Sequence, residues 1–244
     1  MTESVGRTIV LPAYNEEGFI EDMVRLSIKA AEERQDSFEI IVVDNASTDR
    51  TAALVEALAR DDSRVRLIRH SENRLYAGSC ASGCEAAKGE RVFILDSDGQ
   101  HPPTDIWKFD EKLDEGYDLV FGHRTHREEP ITRIAMSRFL RFLARAYIGF
   151  KLSDVNCGIR GMSRKYVDGL EFKYKVNFVN PELFVRAKQR NLRIGETPVL
   201  QEKRKAGVSS HEFGRLWQIF RTVTTYLGDL RRELRSSRKL SSSL

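Results

Sequence analysis

The feature that most constrains the fold is an alternation of short apolar runs with amphipathic stretches through the first half of the 244-residue chain. Five apolar runs predict buried strands, at residues 8–11, 40–43, 65–68, 92–95 and 119–121. Four amphipathic stretches predict the helices between them, at residues 16–33, 47–60, 77–88 and 104–115. Strands that alternate with helices form a mostly parallel sheet with helices on both faces. We therefore predict an α/β fold.

Two more amphipathic helices are predicted in the second half, at residues 131–148 and 212–235. The first carries several arginines beside large apolar residues, which is the composition of an interfacial helix. The apolar stripe of the second would pack on the core, on a dimer partner or on a membrane. We expect a catalytic domain over residues 1–211, then a basic amphipathic helix and a disordered tail within residues 212–244, the disorder starting at Arg235.

Charge and cysteine content limit the compartment and the partners. The net charge is +4, but the chain from Arg215 onward holds seven basic and two acidic residues. Such a basic end favours an anionic surface, and we expect a membrane surface and no nucleic acid. Three cysteines without paired spacing predict free thiols in a reducing compartment, and no run approaches the roughly 18 apolar residues of a membrane span. The expectation is a cytoplasmic protein, peripheral at most to a membrane.

An apolar run followed by closely spaced acids predicts a metal site. Asp96, Asp98 and Gln100 follow the fourth predicted strand at alternate positions, so an extended backbone turns their oxygens to one side. Oxygen ligands of this kind suit Mg²⁺ or Mn²⁺ bound together with the phosphates of a substrate. A solvated turn after a buried strand is the alternative.

Polar clusters follow three of the predicted strands, at residues 12–16, 44–49 and 96–98. Parallel strands end at one edge of their sheet, and open α/β sheets bind ligands beyond that edge. The three clusters are therefore expected to meet in one crevice.

These motifs resemble those of the family 2 glycosyltransferases with the GT-A fold. The matching segments cover about residues 7–211 and stand at 11–17, 42–49, 95–103, 122–124, 154–160, 182–187, 194–199 and 204–209. The branch that the sequence resembles most is that of the dolichol- or polyprenyl-phosphate mannose synthases.

The resemblance implies roles for individual residues. The implied nucleotide site consists of Pro12, Tyr14, Glu16, Asp44, Asn45, Asp96 and Ser97. Asp96, Asp98 and Gln100 would bind the Mg²⁺ or Mn²⁺. The implied catalytic set is Asp98, Arg124, Arg138, Asp154 and Arg204, in which the arginines gather positive charge around the donor and acceptor phosphates.

Three parts of the sequence depart from the family pattern. Asn45 and Ala46 stand where an acid and a glycine are usual, which bears on recognition of the base or ribose. The segment 73–78 has bulky residues where many relatives have glycine, and its Arg74 could contact a phosphate or ribose. His123 replaces the commoner serine.

The implied reaction is a single displacement that inverts the anomeric carbon. The favoured donor is GDP-mannose, with UDP-sugars next, and the favoured acceptor is a polyprenyl phosphate at a membrane surface, whose ionised oxygen needs no general base. A hydroxyl acceptor would need Asp154 or Glu182 to take its proton.

The sequence also suggests two alternative functions from other classes of protein. Residues 95–99 also resemble the nucleophile motif of haloacid-dehalogenase-type phosphatases, but that family expects threonine where Gln100 stands and a downstream Gly-Asp pair that the sequence lacks. The other alternative is a non-catalytic module that binds nucleotide sugars.

We predict that Asp98→Ala abolishes metal-dependent nucleoside diphosphate binding and leaves the fold intact, because Asp98 is interpreted as a ligand at a strand end and not as a core residue. Calorimetric titration with Mn²⁺ present and absent measures the effect, and circular dichroism checks the fold. An unchanged diphosphate affinity in the variant would contradict the metal assignment.

Overall fold

The computed structural model describes residues 5–35, 37–125, 131–201 and 216–241. The strands are β1 (Arg7–Ala13), β2 (Phe38–Asp44), β3 (Val65–Arg69), β4 (Arg91–Ile94), β5 (Leu119–Arg124), β6 (Arg160–Ser163) and β7 (Ile194–Val199). The helices are α1 (Ile20–Glu32), α2 (Thr51–Asp61), α3 (Leu75–Ala86), α4 (Ile106–Asp114), α5 (Ile131–Ile148), α6 (Arg164–Val167), α7 (Asn180–Gln189) and α8 (Leu216–Ser241). A 3₁₀ turn, Pro103–Asp105, leads into α4.

The seven strands form one sheet in the order β3-β2-β1-β4-β6-β5-β7. Every neighbouring pair is parallel apart from those of β6, which runs antiparallel between β4 and β5. The predicted mostly parallel sheet with flanking helices is therefore confirmed. Because β1, β2, β3, β4, β5 and β7 point the same way, their carboxyl ends lie at one edge, which we call the carboxyl edge.

Alternation of side chains along the buried strands builds two cores, one on each face of the sheet. In β1, Val10 belongs to the core that includes α3, α7 and α8, while Ile9 and Leu11 belong to the core that includes α1 and α4. Burying a side chain of this size stabilises the fold by roughly 1.5–3 kcal/mol. The sheet is thus apolar on both faces, as its central position demands.

Strand β6 has no counterpart among the predicted strands. Its sequence, Arg-Gly-Met-Ser, contains no apolar run, so periodicity cannot identify it. A Cβ at Gly161 would lie 2.8 Å from the Cβ of Phe109 in α4, so this position accepts only glycine without a shift of the helix. The strand is defined by its neighbours on both sides and not by its own composition.

Helix α8 belongs to the main core. Tyr226, Leu227, Leu230 and Leu234 are buried in the same cluster as β1, β4 and β5 residues. On its polar side Arg186 of α7 pairs with Glu233. The helix also continues to Ser241, six residues beyond Arg235, where the sequence predicted disorder. The buried part of the apolar stripe on α8 therefore packs on the core. A dimer partner and a membrane were the alternatives for this stripe.

All three cysteines are free and buried, as their spacing predicted. Burial raises the pKa of the Cys80 thiol to about 12, so it is an inert core group at neutral pH. Within the described segments, no helix combines the length and the apolar character needed to cross a membrane.

We predict that Leu230→Ala lowers the free energy of unfolding by about 2–5 kcal/mol, because Leu230 is fully buried and its loss leaves a cavity. Urea denaturation measures the change. The control is Leu26→Ala on α1, where the side chain is 50% exposed and we expect a change of at most about 0.5 kcal/mol. Equal effects of the two substitutions would contradict the placement of α8 in the core.

Candidate active site

The carboxyl edge is marked by three residues in left-handed backbone conformations. Asn15, Ala46 and Leu75 follow β1, β2 and β3, with φ angles of 55°, 62° and 59°. For Ala46 and Leu75, which have no side-chain compensation for this conformation, the cost is of order 1 kcal/mol or more, and such residues cluster at functional sites. The left-handed residues after β1 and β2 thus stand two residues beyond the ends of those strands, whereas Leu75 stands at the start of α3, six residues beyond β3.

Hydrogen bonds join the loops after β1 and β2 into one wall. The backbone N–H of Asn15 donates to Ser47 Oγ at 2.9 Å, and the Thr48 N–H donates to Asn15 Oδ1 at 2.8 Å. The Glu16 N–H donates to Thr51 Oγ1 at 2.8 Å. Next to this wall Tyr14 is 44% exposed, while Pro12 is buried in β1. The predicted pocket residues 12–16 and 44–49 therefore do lie together.

Asp44 presents a buried carboxylate oxygen that has no hydrogen-bond partner in the part of the chain that the structure describes. The residue is 1% exposed, and its Oδ1 accepts from the Ser47 N–H at 3.2 Å. Among the described residues its Oδ2 accepts no hydrogen bond, and Arg69 Nε lies 3.8 Å from it. A buried acceptor of this kind is costly unless a ligand satisfies it, so Asp44 fits the N–H edge of a bound base.

Asn45, the departure from the family pattern, holds the loop after β3. Its Oδ1 accepts from His70 Nδ1 at 3.0 Å and from the Arg74 N–H at 2.9 Å, and its Nδ2 donates to Asn73 Oδ1 at 3.0 Å. Burial lowers the pKa of His70, so the imidazole stays neutral, with Nδ1 donating and Nε2 accepting from Ser82 at 2.9 Å. The Asn45 side chain is therefore engaged by the protein itself, and its assignment to the nucleotide site stays a prediction.

The two acids of the predicted metal site lie directly after β4. Ser97 between them is buried, and its hydroxyl donates to the Pro12 carbonyl at 2.7 Å, which fixes this turn to β1. Asp98 Oδ1 accepts from the Gln100 N–H at 3.1 Å. The described segments hold no cluster of three His, Cys, Asp or Glu side chains suited to a metal ion. Two carboxylates fit Mg²⁺ or Mn²⁺ when water and a diphosphate supply the other ligands.

A partly buried series of hydrogen bonds that the sequence did not predict stands behind Asp96. Tyr76 Oη donates to Asp96 Oδ1 at 2.5 Å, and Arg160 Nη1 donates to Tyr76 Oη at 2.8 Å. Burial raises the pKa of Tyr76 well above its usual range, so the phenol keeps its proton. The bulky segment 73–78 was the available signal for Tyr76, and the motif at 154–160 was the signal for Arg160.

Arg124 and Asp154, both predicted catalytic residues, form a buried ion pair. Arg124 Nε lies 2.6 Å from Asp154 Oδ2, and Arg124 Nη2 lies 3.1 Å from Oδ1. Asp154 Oδ1 also accepts from the Asn156 N–H at 3.0 Å. The structure thus brings these two residues together, with both carboxylate oxygens of Asp154 already accepting hydrogen bonds.

Two residues that the sequence did not single out, His101 and Asp105, hold the end of β7 near the loop that carries Asp96 and Asp98. His101 Nδ1 donates to the Leu200 carbonyl at 2.7 Å, and the Leu200 N–H donates to Asp105 Oδ2 at 3.1 Å. Arg204 follows four residues later but lies outside the described residues.

Two other candidates lie on helices α5 and α7. Arg138 is on the exposed side of α5. Glu182 is fully buried in α7, where its Oε1 accepts from Arg186 Nη2 at 2.9 Å and from the Lys173 N–H at 2.8 Å. Burial raises the pKa of Glu182. Because the side chain is not exposed to solvent, an acceptor cannot reach it.

Solved structures share this architecture. The chain is similar to glucosyl-3-phosphoglycerate synthase from Mycobacterium tuberculosis in complex with Mn²⁺, UDP-glucose and phosphoglyceric acid, with a TM-score of 0.67 and 22% identity over 93% of this chain and 80% of that chain. The complex of the same enzyme with Mg²⁺ and UDP gives a TM-score of 0.62 and 22% identity over 96% of this chain and 78% of that chain. At this identity the likeness establishes the GT-A-like fold.

Family membership rests on the sequence itself. Residues 8–170, which hold the loops of the carboxyl edge, the acidic pair and the Arg124–Asp154 pair, match the model of Glycosyl transferase family 2. This segment is more than half of the chain and includes β1 to β6. The chain belongs to glycosyl transferase family 2 and is a glycosyltransferase.

Proposed function

We propose that this protein transfers a sugar from a nucleoside diphosphate sugar to a polyprenyl phosphate, with Mg²⁺ or Mn²⁺ held by Asp96 and Asp98. The observation that carries the proposal is the placement of a buried, unpartnered Asp44 oxygen and an acidic pair along one edge of the sheet. The first group fits a base and the second fits a metal–diphosphate. A nucleoside diphosphate has both parts in one molecule.

On the donor side, the chain's own groups bind and orient the nucleotide. Asp44 accepts from the N–H edge of uracil or guanine, and the exposed Tyr14 offers an aromatic face beside it. The metal, when bound, neutralises charge that develops on the leaving diphosphate. The complexes of the solved relative with Mn²⁺ and UDP-glucose support this choice of ligands, while the mannose synthase resemblance favours GDP-mannose.

On the acceptor side, the ion pairs support a phosphate over a hydroxyl. A hydroxyl acceptor needs a carboxylate that can take a proton. Asp154 is bound on both oxygens by Arg124, and Glu182 is buried against Arg186. An ionised phosphate oxygen attacks without such a base.

The exposed side of α5 supports a lipid as the carrier of that phosphate. Phe139 and Phe142 are 43% and 64% exposed, and Phe139 stacks on Phe220 of α8 with ring centroids 6.1 Å apart. Arg138 and Arg145 are exposed on the same helix. Aromatic and basic side chains on one surface suit the headgroup region of an anionic bilayer, where each basic residue contributes about 1 kcal/mol. A small phosphorylated acceptor such as phosphoglycerate is the second candidate, favoured by the solved relative.

We predict that Arg138→Ala lowers transfer to detergent-solubilised polyprenyl phosphate by about tenfold or more, in line with the loss of one charged hydrogen bond, and leaves donor hydrolysis by water within about twofold. Radiolabelled GDP-mannose and UDP-glucose are each assayed with polyprenyl phosphate, with phosphoglycerate, with simple sugars and without acceptor. The matched control is Arg60→Ala, because Arg60 is an exposed arginine in the last turn of α2, outside the proposed acceptor surface.

Transfer to phosphoglycerate alone would contradict the lipid acceptor and support the small one. Transfer only to a sugar hydroxyl would contradict any phosphate acceptor. Nucleotide-sugar binding with neither hydrolysis nor transfer would contradict the enzymatic role and identify a binding module.

A further inference from the structure

The Asp96 carboxylate is enclosed on two sides by groups that have no role in the reaction described above. On one side Tyr76 Oη lies 2.5 Å from Oδ1. On the other side, a Cβ built on Gly158 would lie only 1.8 Å from Oδ2. The carboxylate therefore fits between a phenol and a bare backbone, and few other orientations of the Asp96 side chain are open to it.

The chemistry of the donors fixes the direction of the hydrogen bonds. Arginine can only donate, so Arg160 Nη1 gives a hydrogen to Tyr76 Oη. The single phenol hydrogen of Tyr76 is then directed to Asp96 Oδ1. A carboxylate oxygen that accepts this bond keeps further lone pairs, so Asp96 remains able to bind a cation. Tyr76 thus orients the Asp96 carboxylate and leaves lone pairs on it for a cation.

Arg160 is itself held by several contacts, so the series of hydrogen bonds that starts at Asp96 ends in rigid structure. It is 3% exposed, its Nε donates to Asn180 Oδ1 at 2.6 Å, and its Nη2 donates to the Cys157 carbonyl at 3.0 Å. The Arg160 guanidinium also lies over the Tyr76 ring, 5.3 Å from its centroid. Its Cα pairs with Ile94, two residues before Asp96.

Tyr76 is held from the backbone as well. Its N–H donates to Asn177 Oδ1 at 3.0 Å, and the next N–H, of Ala77, donates to the Val176 carbonyl at 3.0 Å. The start of α3 is therefore tied to the segment before α7. The phenol reaches Asp96 from a backbone position fixed by two parts of the chain.

We propose that Tyr76, backed by Arg160, is a positioning residue that holds the Asp96 carboxylate in the orientation that binds the metal of the donor complex. The proposal rests on the proposed function, because it needs a metal-bound nucleoside diphosphate at Asp96 and Asp98. Groups that hydrogen-bond to metal ligands set ligand orientation, and their loss typically lowers metal affinity by about 10–100-fold.

The test is a Mn²⁺ titration of Tyr76→Phe, which removes one hydroxyl and keeps the ring. Free Mn²⁺ is followed by electron paramagnetic resonance in the presence of saturating UDP and, in parallel, saturating GDP. We expect Mn²⁺ affinity to fall by about tenfold or more, while the affinity for each nucleotide without metal stays unchanged. A residue with only a packing role would not separate these two affinities.

Two further variants complete the experiment. Tyr117→Phe is the matched control, because Tyr117 lies before β5 at the opposite edge of the sheet, under Arg193, and its Mn²⁺ affinity should equal that of the wild type. Gly158→Ala places a Cβ against the Oδ2 side of the same carboxylate and should also lower Mn²⁺ affinity.

Wild-type Mn²⁺ affinity in both Tyr76→Phe and Gly158→Ala would overturn the positioning role and leave the proposed function standing. A wild-type protein that binds neither nucleotide more tightly with Mn²⁺ would overturn both.

Discussion

The insertion of one antiparallel strand between two parallel ones is the constraint on which the site depends. Because β6 runs against β4 and β5, the chain must return across the carboxyl edge before it enters that strand. This return path brings Asp154 to Arg124 and places Gly158 against Asp96. The second half of the chain thereby completes a site whose acids come from the first half. A fully parallel sheet would have needed another crossover to do the same.

The two sides of the site are stabilised differently. On one side, the short loops after β1, β2 and β3 are joined by neutral hydrogen bonds, with Asn45 as the hub of the loop after β3. On the other side, buried arginines carry the structure, through the Arg124–Asp154 pair and the contacts of Arg160. Breaking a buried pair costs more than breaking a neutral hydrogen bond because it leaves a charge unpaired in a region of low dielectric constant. The side that holds these arginines should therefore be the more rigid of the two.

The sequence predicted what periodicity and strand-end chemistry can reveal. The first five strands, the parallel sheet and helix α5 at residues 131–148 were confirmed, because each carries a clear apolar pattern. Strand β6 was missed because Arg160 and Gly161 are required by contacts with neighbouring elements. They form no apolar pattern that the sequence could reveal. Tyr76 was noted only as a bulky replacement, since its partner Asp96 is 20 residues away and the contact is tertiary. The end of α8 was misplaced because serines and arginines suggested disorder, whereas its buried leucines anchor the helix.

Gly158 differs from the glycines usually retained for backbone freedom. Its φ angle is not in the left-handed region, and the space it leaves is filled by the Asp96 carboxylate. The requirement for glycine at position 158 is therefore imposed by a side chain 62 positions away. In relatives where the first acid of the pair has been replaced by a smaller residue, this requirement disappears, and we expect alanine or serine to be accepted at the equivalent position. The two positions should consequently vary together during evolution.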